Sequence, residues 1–273
     1  MFIGRESELN FLEERYSSNK GELVVLYGRR RVGKTETLKQ FCKDKPHLFF
    51  SCRECTDKLQ LKNFSEKLLK EKIPASAYIS EFTDWEKAFR SITELPYGEK
   101  KKLVVIDEFS YMCKGNESIP SILQNLWDDL LKDENIMLIL CGSAMSFIEK
   151  ELLAEKNPLY GRATGIYKMT EMGFYDAAKF FPDYSPREKV IAYSILGGIP
   201  HYLNQFDGNR TLEENIKKSI LSKGSTLYSE VEFLLRQELR ETPVYNSIIE
   251  AVALGNTKLN EISMKSLIDD TSK

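Results

Sequence analysis

Histidine and cysteine are scarce in this chain of 273 residues, which has two histidines and five cysteines. Cys52 and Cys55 have the C-x-x-C spacing of half a zinc site, but no second close cysteine pair completes it, and the histidines are His47 and His201. Because five thiols cannot all pair and several lie in apolar stretches, we interpret them as free thiols. Neither a zinc site nor a disulfide scaffold is therefore expected.

Long apolar runs and an excess of one charge are also lacking. No apolar stretch approaches the roughly 20 residues of a membrane span, and the first residues are too acidic and too weakly apolar for a signal peptide. The formal net charge is -2, so no overall basic field attracts nucleic acid or anionic membrane, although a local basic face stays open. These features predict a cytoplasmic protein with no membrane partner.

The segment from Gly28 to Thr35 reads Gly-Arg-Arg-Arg-Val-Gly-Lys-Thr and matches the pattern G-x-x-x-x-G-K-[ST]. It follows an apolar run at 23–27 that is typical of a buried strand, and a helix is expected to begin near Lys34. In that context the N–H groups of a glycine-permitted loop converge on phosphate oxygens at the positive end of a helix. Lys34 would reach the β- and γ-phosphates, and the Thr35 hydroxyl would bind Mg²⁺.

The nucleotide-binding segment predicted from this pattern runs on into the first turn of the helix. It comprises Gly28, Arg29, Arg30, Arg31, Val32, Gly33, Lys34, Thr35 and Glu36. Two interpretations of the three arginines stay open: added attraction for phosphate, or salt bridges within the fold or at an interface. We assign the arginines no catalytic role.

A second apolar strand, at 103–106, ends directly in Asp107 and Glu108. An aspartate at the tip of a buried strand beside a phosphate loop can hold Mg²⁺, usually through its water shell, and a following glutamate can polarise the water that attacks the γ-phosphate. A strand that ends in solvated acids is the plain alternative. With the phosphate loop upstream, the pair predicts hydrolysis, with Thr35 and Asp107 at the metal and Lys34, Asp107 and Glu108 in catalysis.

Two further residues lie next to predicted strands. Ser143 follows the apolar run 136–141, where its hydroxyl would hydrogen-bond the attacking water or the γ-phosphate; ordinary turn chemistry is the alternative. Arg162 precedes a strand at 166–169, where a guanidinium would neutralise charge on the transferring phosphoryl group, in cis or from a neighbouring subunit. The alternative for Arg162 is a surface arginine.

Continuous apolar strands alternating with helical patterns predict a parallel five-stranded sheet covered by helices on both faces, an α/β fold. Ligands of such sheets bind beyond the carboxyl ends of the strands, where these motifs converge. From about residue 170 the pattern turns helical. The predicted strands are 23–27, 47–51, 103–106, 136–141 and 166–169, and the predicted helices are 5–17, 37–41, 59–95 with breaks at Pro74 and Pro96, 190–196, 212–221, 245–254 and 259–264.

A set of motifs in a fixed order resembles one family, the archaeal-type AAA ATPases, which are prokaryotic relatives of the AAA+ and STAND signalling NTPases. The likeness extends from residue 2 to about residue 260. The motifs are Phe2-Ile3-Gly4-Arg5-Glu6, the phosphate loop at 28–35, Val105-Ile106-Asp107-Glu108-Phe109, Cys141-Gly142-Ser143, Pro158-Leu159-Tyr160-Gly161-Arg162 and Gly197-Gly198-Ile199-Pro200.

This resemblance implies a P-loop NTPase core of the additional-strand class at 1–169, in which an inserted strand separates the Asp-Glu strand from the phosphate-loop strand. A helical lid at 170–230 and a winged helix would follow, and closure of the lid over nucleotide would be the output. By the same analogy Ile3 and Gly4 would border the adenine, and Pro200 would contact the adenine or the ribose. Without the resemblance, Gly197–Pro200 would be interpreted as a helix stop and a turn.

The family's members usually continue through a complete winged helix and often into a nuclease-like domain. This sequence stops at Lys273, so we expect only a partial winged helix at 231–273. DNA binding and nuclease activity are not carried over to these residues.

The sequence thus predicts a Mg²⁺-dependent ATPase that acts as a nucleotide-driven switch, with ATP and Mg²⁺ as cofactors and a protein partner or self-association as an open question. ATP rather than GTP rests on the resemblance. One rival is a nucleotide-gated DNA-binding module, for which Lys258, Lys265 and Lys273 are sparse and Asp269-Asp270 oppose them. The other is a small-molecule phosphotransferase, which the Asp-Glu pair disfavours because it suits water as the nucleophile.

Overall fold

A single parallel sheet of five strands carries the site in this computed structural model, which describes residues 2–238 and 242–268. The strands run in the order β2-β3-β4-β1-β5. Because β4 lies between β1 and β3, the sheet has the inserted strand that the resemblance implied, and all five predicted strands are confirmed. They are β1 (Glu22–Tyr27), β2 (His47–Ser51), β3 (Lys102–Asp107), β4 (Ile136–Gly142) and β5 (Gly165–Lys168).

Helices and turns connect the strands. The helical pattern predicted at 59–95 with a break at Pro74 has α-helices on both sides of that proline, and Pro74 itself begins a 3-10 helix (Pro74–Ala77), a position where its missing N–H costs nothing. The helices are α1 (Glu6–Tyr16), α2 (Lys34–Cys42), α3 (Asp57–Leu69), α4 (Trp85–Arg90), α5 (Phe109–Gly115), α6 (Ile119–Asp129), α7 (Met145–Phe147), α8 (Phe174–Ala178), α9 (Pro186–Leu196), α10 (Pro200–Leu203), α11 (Leu212–Ile216), α12 (Glu230–Glu238), α13 (Thr242–Ala253) and α14 (Leu259–Ser266).

The pleat of each central strand divides its side chains between two cores, one on each face of the sheet. On one face Val25, Ile106 and Leu140 pack with an aromatic group from α3 and α4 that includes Phe64 and Phe89. On the other face Leu26, Val105, Ile139 and Cys141 pack against α1 and α2 through Leu12, Leu38 and Phe41. Since Asp107 has the same parity as Val105, its carboxylate points to the side of the sheet that α2 covers.

Two compact units divide the chain: Met1–Phe180 with Gly197–His201, and Phe181–Leu196 with Tyr202–Lys273. The described part of the second unit contains helices and turns. Within it Asn215 is buried, and its side-chain amide donates to the Tyr184 hydroxyl at 2.7 Å. The predicted boundaries at 169 and 230 and the partial winged helix stay predictions. Asp269, Asp270 and Lys273, which entered the DNA-binding comparison, lie outside the described residues.

None of the helices within residues 2–238 and 242–268 combines the length and the apolar character needed to span a bilayer.

Candidate active site

The phosphate loop leaves β1 through a glycine that the backbone requires. A Cβ on Gly28 would lie 2.2 Å from the Met169 carbonyl oxygen, because the ends of β1 and β5 approach closely here. The Met169 N–H donates to the Tyr27 carbonyl at 2.6 Å, which fixes that approach. Farther along, Arg31 (φ 70°) and Gly33 (φ 94°) both adopt the left-handed conformation that turns the chain into α2.

Lys34 crosses the opening of this loop. Its ammonium donates to the carbonyl oxygens of Gly28 at 2.7 Å and Arg29 at 2.9 Å, and the residue is 6% exposed. Burial lowers the pKa of Lys34, and the nearby acidic groups, Asp107 and Glu108 among them, oppose that shift. The loop therefore holds a cation against its own carbonyls, close to both carboxylates, where phosphate oxygens would be stronger acceptors.

Thr35 and Asp107 meet beside Lys34. The Thr35 hydroxyl donates to the Asp107 carboxylate at 2.8 Å. Hydroxyl and carboxylate oxygens are the ligands that Mg²⁺ takes in proteins, with phosphate oxygens and water filling the other positions. The described residues contain no group of three or more His, Cys, Asp or Glu side chains arranged to hold a metal ion alone. The donor set thus fits a metal ion that arrives with a nucleotide.

Glu108 lies next to this pair in a left-handed backbone conformation, with φ 52° and ψ 45°. Its N–H donates to the Asp107 carboxylate at 3.0 Å, which fixes the two acids relative to each other. Both Glu108 carboxylate oxygens accept from the Ser143 hydroxyl, each at 2.9 Å, and one accepts from the Ser143 N–H at 3.3 Å. Ser143, which the sequence placed at the γ-phosphate or the attacking water, therefore holds the glutamate.

A buried thiol that sequence reasoning missed completes the group. Cys141, at the end of β4, is fully buried, and its pKa is raised well above the ordinary value by burial, by the charge of Asp107 and by a hydrogen bond to that carboxylate. The signal was available: Cys141 shares the pleat parity of Asp107 on the adjacent strand. The thiol thus lies on the same face of the sheet as the Asp107 carboxylate and is kept protonated beside it.

Residues 2–206 match the family described as an ATPase domain predominantly from Archaea. The chain belongs to this family. An uncharacterized protein of Methanocaldococcus jannaschii is 35% identical over 262 residues, which is 96% of this chain and 56% of that protein. An uncharacterized ATP-binding protein of the same organism is 53% identical over 45 residues, covering 16% of this chain and 76% of that protein. The chain thus spans about half the length of the first relative.

Solved structures support the same fold for this ATPase domain. A Walker-type ATPase of Pyrococcus abyssi aligns over 98% of this chain and 84% of its own, with a TM-score of 0.70 and 24% identity. A STAND protein with a tetratricopeptide repeat sensor from Pyrococcus horikoshii aligns over 100% of this chain and 40% of its own, with a TM-score of 0.52 and 18% identity. The P-loop ATPase fold and the predicted family are therefore confirmed.

Arg162 of the ATPase domain precedes β5 at the amino ends of the strands, opposite the phosphate-loop edge of the sheet, and contacts α6. Its Nε and Nη2 atoms bind the Asp128 carboxylate at 2.8–3.1 Å in a bidentate pair, and Nη1 donates to the Tyr160 carbonyl at 3.3 Å. The pair is partly exposed, with 31% of the Arg162 side chain accessible. Arg162 is thus an oriented arginine with an acidic partner that sequence reasoning did not identify, and its catalytic role stays a prediction.

The predicted base-binding residues also lie near the loop. Ile3 and Gly4 are half-buried, and a Cβ on Gly4 would lie 3.0 Å from the Asp176 side chain, with φ at 66°. Pro200 neighbours the loop, since a Cβ on Gly33 would lie 3.7 Å from its ring. Arg5, which follows Gly4 and donates to the Val32 carbonyl of the loop, was not predicted as a site residue and is 5% exposed.

The remaining residues of the phosphate loop differ in how exposed they are. Arg29 and Arg30 are exposed, Arg31 is half-buried and Val32 belongs to the core on the α2 side of the sheet. Glu36 is exposed and pairs with Lys39 at 2.7 Å. The Val32 side chain therefore anchors the loop to the core, so any nucleotide contact at this position comes from its backbone.

Proposed function

We propose that this ATPase domain binds ATP with Mg²⁺ and hydrolyses it to ADP and phosphate. The observation that carries the proposal is the meeting of Thr35 and Asp107 at 2.8 Å, with Lys34 and Glu108 beside them. A phosphate-binding cation, two metal-binding oxygens and a candidate base thus share the carboxyl edge of one sheet. Family membership supports nucleotide as the substrate.

In the proposed mechanism the Lys34 ammonium leaves the loop carbonyls for the β- and γ-phosphate oxygens, which relieves part of the burial cost expressed in its lowered pKa. Mg²⁺, held by Thr35 and by Asp107 directly or through water, would neutralise charge on the phosphates. Glu108 orients and deprotonates the attacking water, and Ser143 keeps its carboxylate in place. Because Arg162 precedes β5 at the amino ends of the strands, opposite the phosphate-loop edge, it would add positive charge at the transferring group of a neighbouring subunit, in trans.

We propose further that nucleotide state is transmitted to the helical part of the chain and that the domain works as a switch in the cytoplasm. The proximity of Pro200 to Gly33 supports this, since nucleotide on the loop would contact the first turn of α10. A protein partner, self-association and DNA stay predictions. The relative of P. horikoshii is named as a signal transduction protein, which is compatible with a switch.

The decisive test is phosphate release from ATP with Mg²⁺ and without any added acceptor. We expect turnover for the wild-type chain and loss of ATP binding, measured by calorimetry, for Lys34→Ala. Lys39→Ala is the matched control, because Lys39 lies on the same helix but is exposed and pairs with Glu36. ATP affinity unchanged in Lys34→Ala would refute the loop assignment, and phosphate release that requires an added acceptor would favour a phosphotransferase.

A further inference from the structure

Arg5 is a buried arginine where the N-terminal segment, α1 and the phosphate loop meet. It forms the left-handed turn before α1, with φ 70° and ψ 22°, and is 5% exposed. Its Nη1 atom donates to the Glu8 carboxylate at 2.6 Å, and its Nη2 atom donates to the Val32 carbonyl at 2.6 Å. A buried guanidinium is costly unless it is paired and hydrogen-bonded, so both contacts hold it in place.

The contact with Val32 reaches the phosphate loop, 27 positions away in sequence. Val32 lies between the left-handed Arg31 and Gly33, where the loop turns into α2. The Val32 carbonyl accepts a charge-assisted hydrogen bond and is therefore engaged with Arg5. Arg5 thus contacts the backbone of the loop between its two left-handed residues.

The contact with Glu8 orients the guanidinium from α1. Glu8 and Arg5 both lie near Tyr167 of β5, whose pKa is raised by burial and by Glu8 and lowered in part by Arg5. Phe11 of α1 packs on Tyr167 with ring centroids 4.8 Å apart. The helix that carries Glu8 is thus fixed to the sheet edge, so the ion pair has a rigid support.

The phosphate loop and the N-terminal segment, which Arg5 connects, differ in how firmly the rest of the fold holds them. The phosphate loop is tied to β1 at one end and to α2 at the other, and the Val32 side chain is buried. The segment at 2–4 leads directly into Arg5, which binds Val32, and a Cβ on Gly4 would lie 3.0 Å from the Asp176 side chain. Loss of Arg5 would therefore release the N-terminal segment before it released the loop.

We propose that Arg5 is a positioning residue that clamps the N-terminal segment at 2–5 to the phosphate loop through Val32, so that the base side and the phosphate side of the nucleotide site form as one unit. This inference rests on the proposed function, since it assumes that ATP occupies the loop. It gives Arg5 no contact with the nucleotide. The clamp makes ATP binding depend on a side chain that reaches neither the base nor the phosphates.

The test compares two probes, ATP and inorganic tripolyphosphate, each with Mg²⁺, by calorimetry on the full chain. In Arg5→Gln we expect ATP affinity to fall about tenfold, which is about 1.4 kcal/mol, and tripolyphosphate affinity to change less than about twofold. Arg15→Gln is the matched control, because Arg15 lies on the same helix and donates to the Phe11 carbonyl at 3.1 Å rather than to the loop. We expect the ratio of the two affinities to be unchanged in this control.

A second variant separates the clamp from stability. Arg5→Gln leaves Glu8 buried without its cation, whereas the double variant Arg5→Gln with Glu8→Gln removes both charges. We expect the double variant to be the more stable of the two and to show the same fall in the ratio of ATP to tripolyphosphate affinity. ATP affinity equal to that of the wild type in either variant, or a parallel fall for both probes, would overturn the clamp.

Hydrogen exchange of the nucleotide-free protein gives a readout that needs no ligand. The amide of Leu9, which donates to the Arg5 carbonyl at 2.9 Å, is expected to exchange faster in both Arg5 variants than in the wild type and in Arg15→Gln. Unchanged exchange there would overturn the clamp even if the wild-type chain bound neither ATP nor tripolyphosphate. A wild-type chain that binds neither ATP nor tripolyphosphate would refute the proposed function instead, so the two failures are distinguishable.

Discussion

The Thr35 hydroxyl donates a 2.8 Å hydrogen bond to the Asp107 carboxylate, although 72 positions separate the two residues. The strand order explains the meeting: β4 lies between β1 and β3, and α2 starts from the loop after β1 and lies on the face to which Asp107 points. A metal ion bound to either oxygen would take the place of this hydrogen bond. The contact therefore marks the metal site that we propose.

Thr35→Val removes the hydroxyl and keeps the shape of the side chain. We expect ATP affinity measured with Mg²⁺ to fall by about tenfold or more, because one metal ligand is lost, while affinity measured in EDTA changes little. Thr37→Val is the control, since the Thr37 hydroxyl donates at 3.0 Å to the carbonyl of Gly33, the residue that caps its helix, and not to Asp107. Equal Mg²⁺ dependence in Thr35→Val and the wild type would contradict the metal assignment.

Glu108→Gln is expected to keep ATP affinity and to lose turnover by a factor of about 10² to 10⁴, because the base that deprotonates water is removed. Isothermal calorimetry and phosphate release give the two quantities. Full hydrolysis by this variant would exclude Glu108 from the mechanism.

Ser143→Ala tests the contact that holds the glutamate. It removes both hydroxyl hydrogen bonds to Glu108 and keeps the N–H contact. We expect turnover to fall about tenfold with unchanged ATP affinity, since a loosely held base loses orientation, and Ser143→Thr to recover most of it. An ATP affinity that falls with turnover would instead favour direct contact between Ser143 and nucleotide.

Sequence reasoning located the strands and the paired acids because buried parallel strands are continuous apolar runs whose ends carry the site. It missed α5 and α6, which follow Glu108 almost without a break. Between residues 109 and 129, the spacing of the apolar residues alone did not distinguish two short helices from a loop. The burial of Ile119 and Leu123 of α6 against the sheet core makes the helical period visible only once the sheet is known.

Sequence reasoning also missed contacts between residues that are far apart in the sequence. The Cys141 thiol at Asp107, the Asp128 carboxylate at Arg162 and the Val32 carbonyl at Arg5 each depend on how separate elements pack. Left-handed conformations at Arg5 and Glu108 were also hidden, because residues other than glycine rarely adopt them and composition does not mark them. The motif predicted which residues gather, but not which ones hold the others in place.

Arg162→Ala is expected to lower turnover at saturating ATP by at least about tenfold if the guanidinium acts on the transferring group, with ATP affinity retained. Asp128→Asn keeps the arginine but weakens its bidentate partner, so we expect a smaller loss of turnover. Arg90→Ala is the control, because Arg90 forms an exposed pair with Glu86 at 3.7 Å. Unchanged turnover in Arg162→Ala would leave the arginine as a structural partner of Asp128.

Gly28→Ala should destabilise the fold, because the added Cβ would lie 2.2 Å from the Met169 carbonyl oxygen and the two strand ends would have to separate. We expect a loss of about 3 kcal/mol or more in the free energy of unfolding, together with loss of ATP binding. Gly208→Ala is the control, since its Cβ meets nothing within 4 Å and its φ is not in the left-handed region. A melting temperature of Gly28→Ala equal to that of the wild type would show that the loop relaxes without cost.

Four of the five cysteines, Cys42, Cys52, Cys113 and Cys141, are buried, and Cys55 is half-exposed. Burial raises the pKa of Cys42 from 9.0 to about 12, so only about one Cys42 thiol in ten thousand is ionised at pH 8. We therefore expect iodoacetamide at pH 8 to label Cys55 first in the native protein and the other four only after unfolding. The Cys55→Ser variant is the control and should show no fast labelling.

The raised pKa of Cys42 also predicts that alkaline pH lowers the stability of the fold. The folded chain keeps this thiol protonated between about pH 9 and pH 12, whereas the unfolded chain loses the proton. Since the unfolded state then binds fewer protons, the contribution of Cys42 to stability is complete below pH 9 and declines as the pH rises above it. Unfolding in urea at pH 8 and pH 10 should show a smaller decline for Cys42→Ala than for the wild type, and equal declines would place the Cys42 thiol in contact with water.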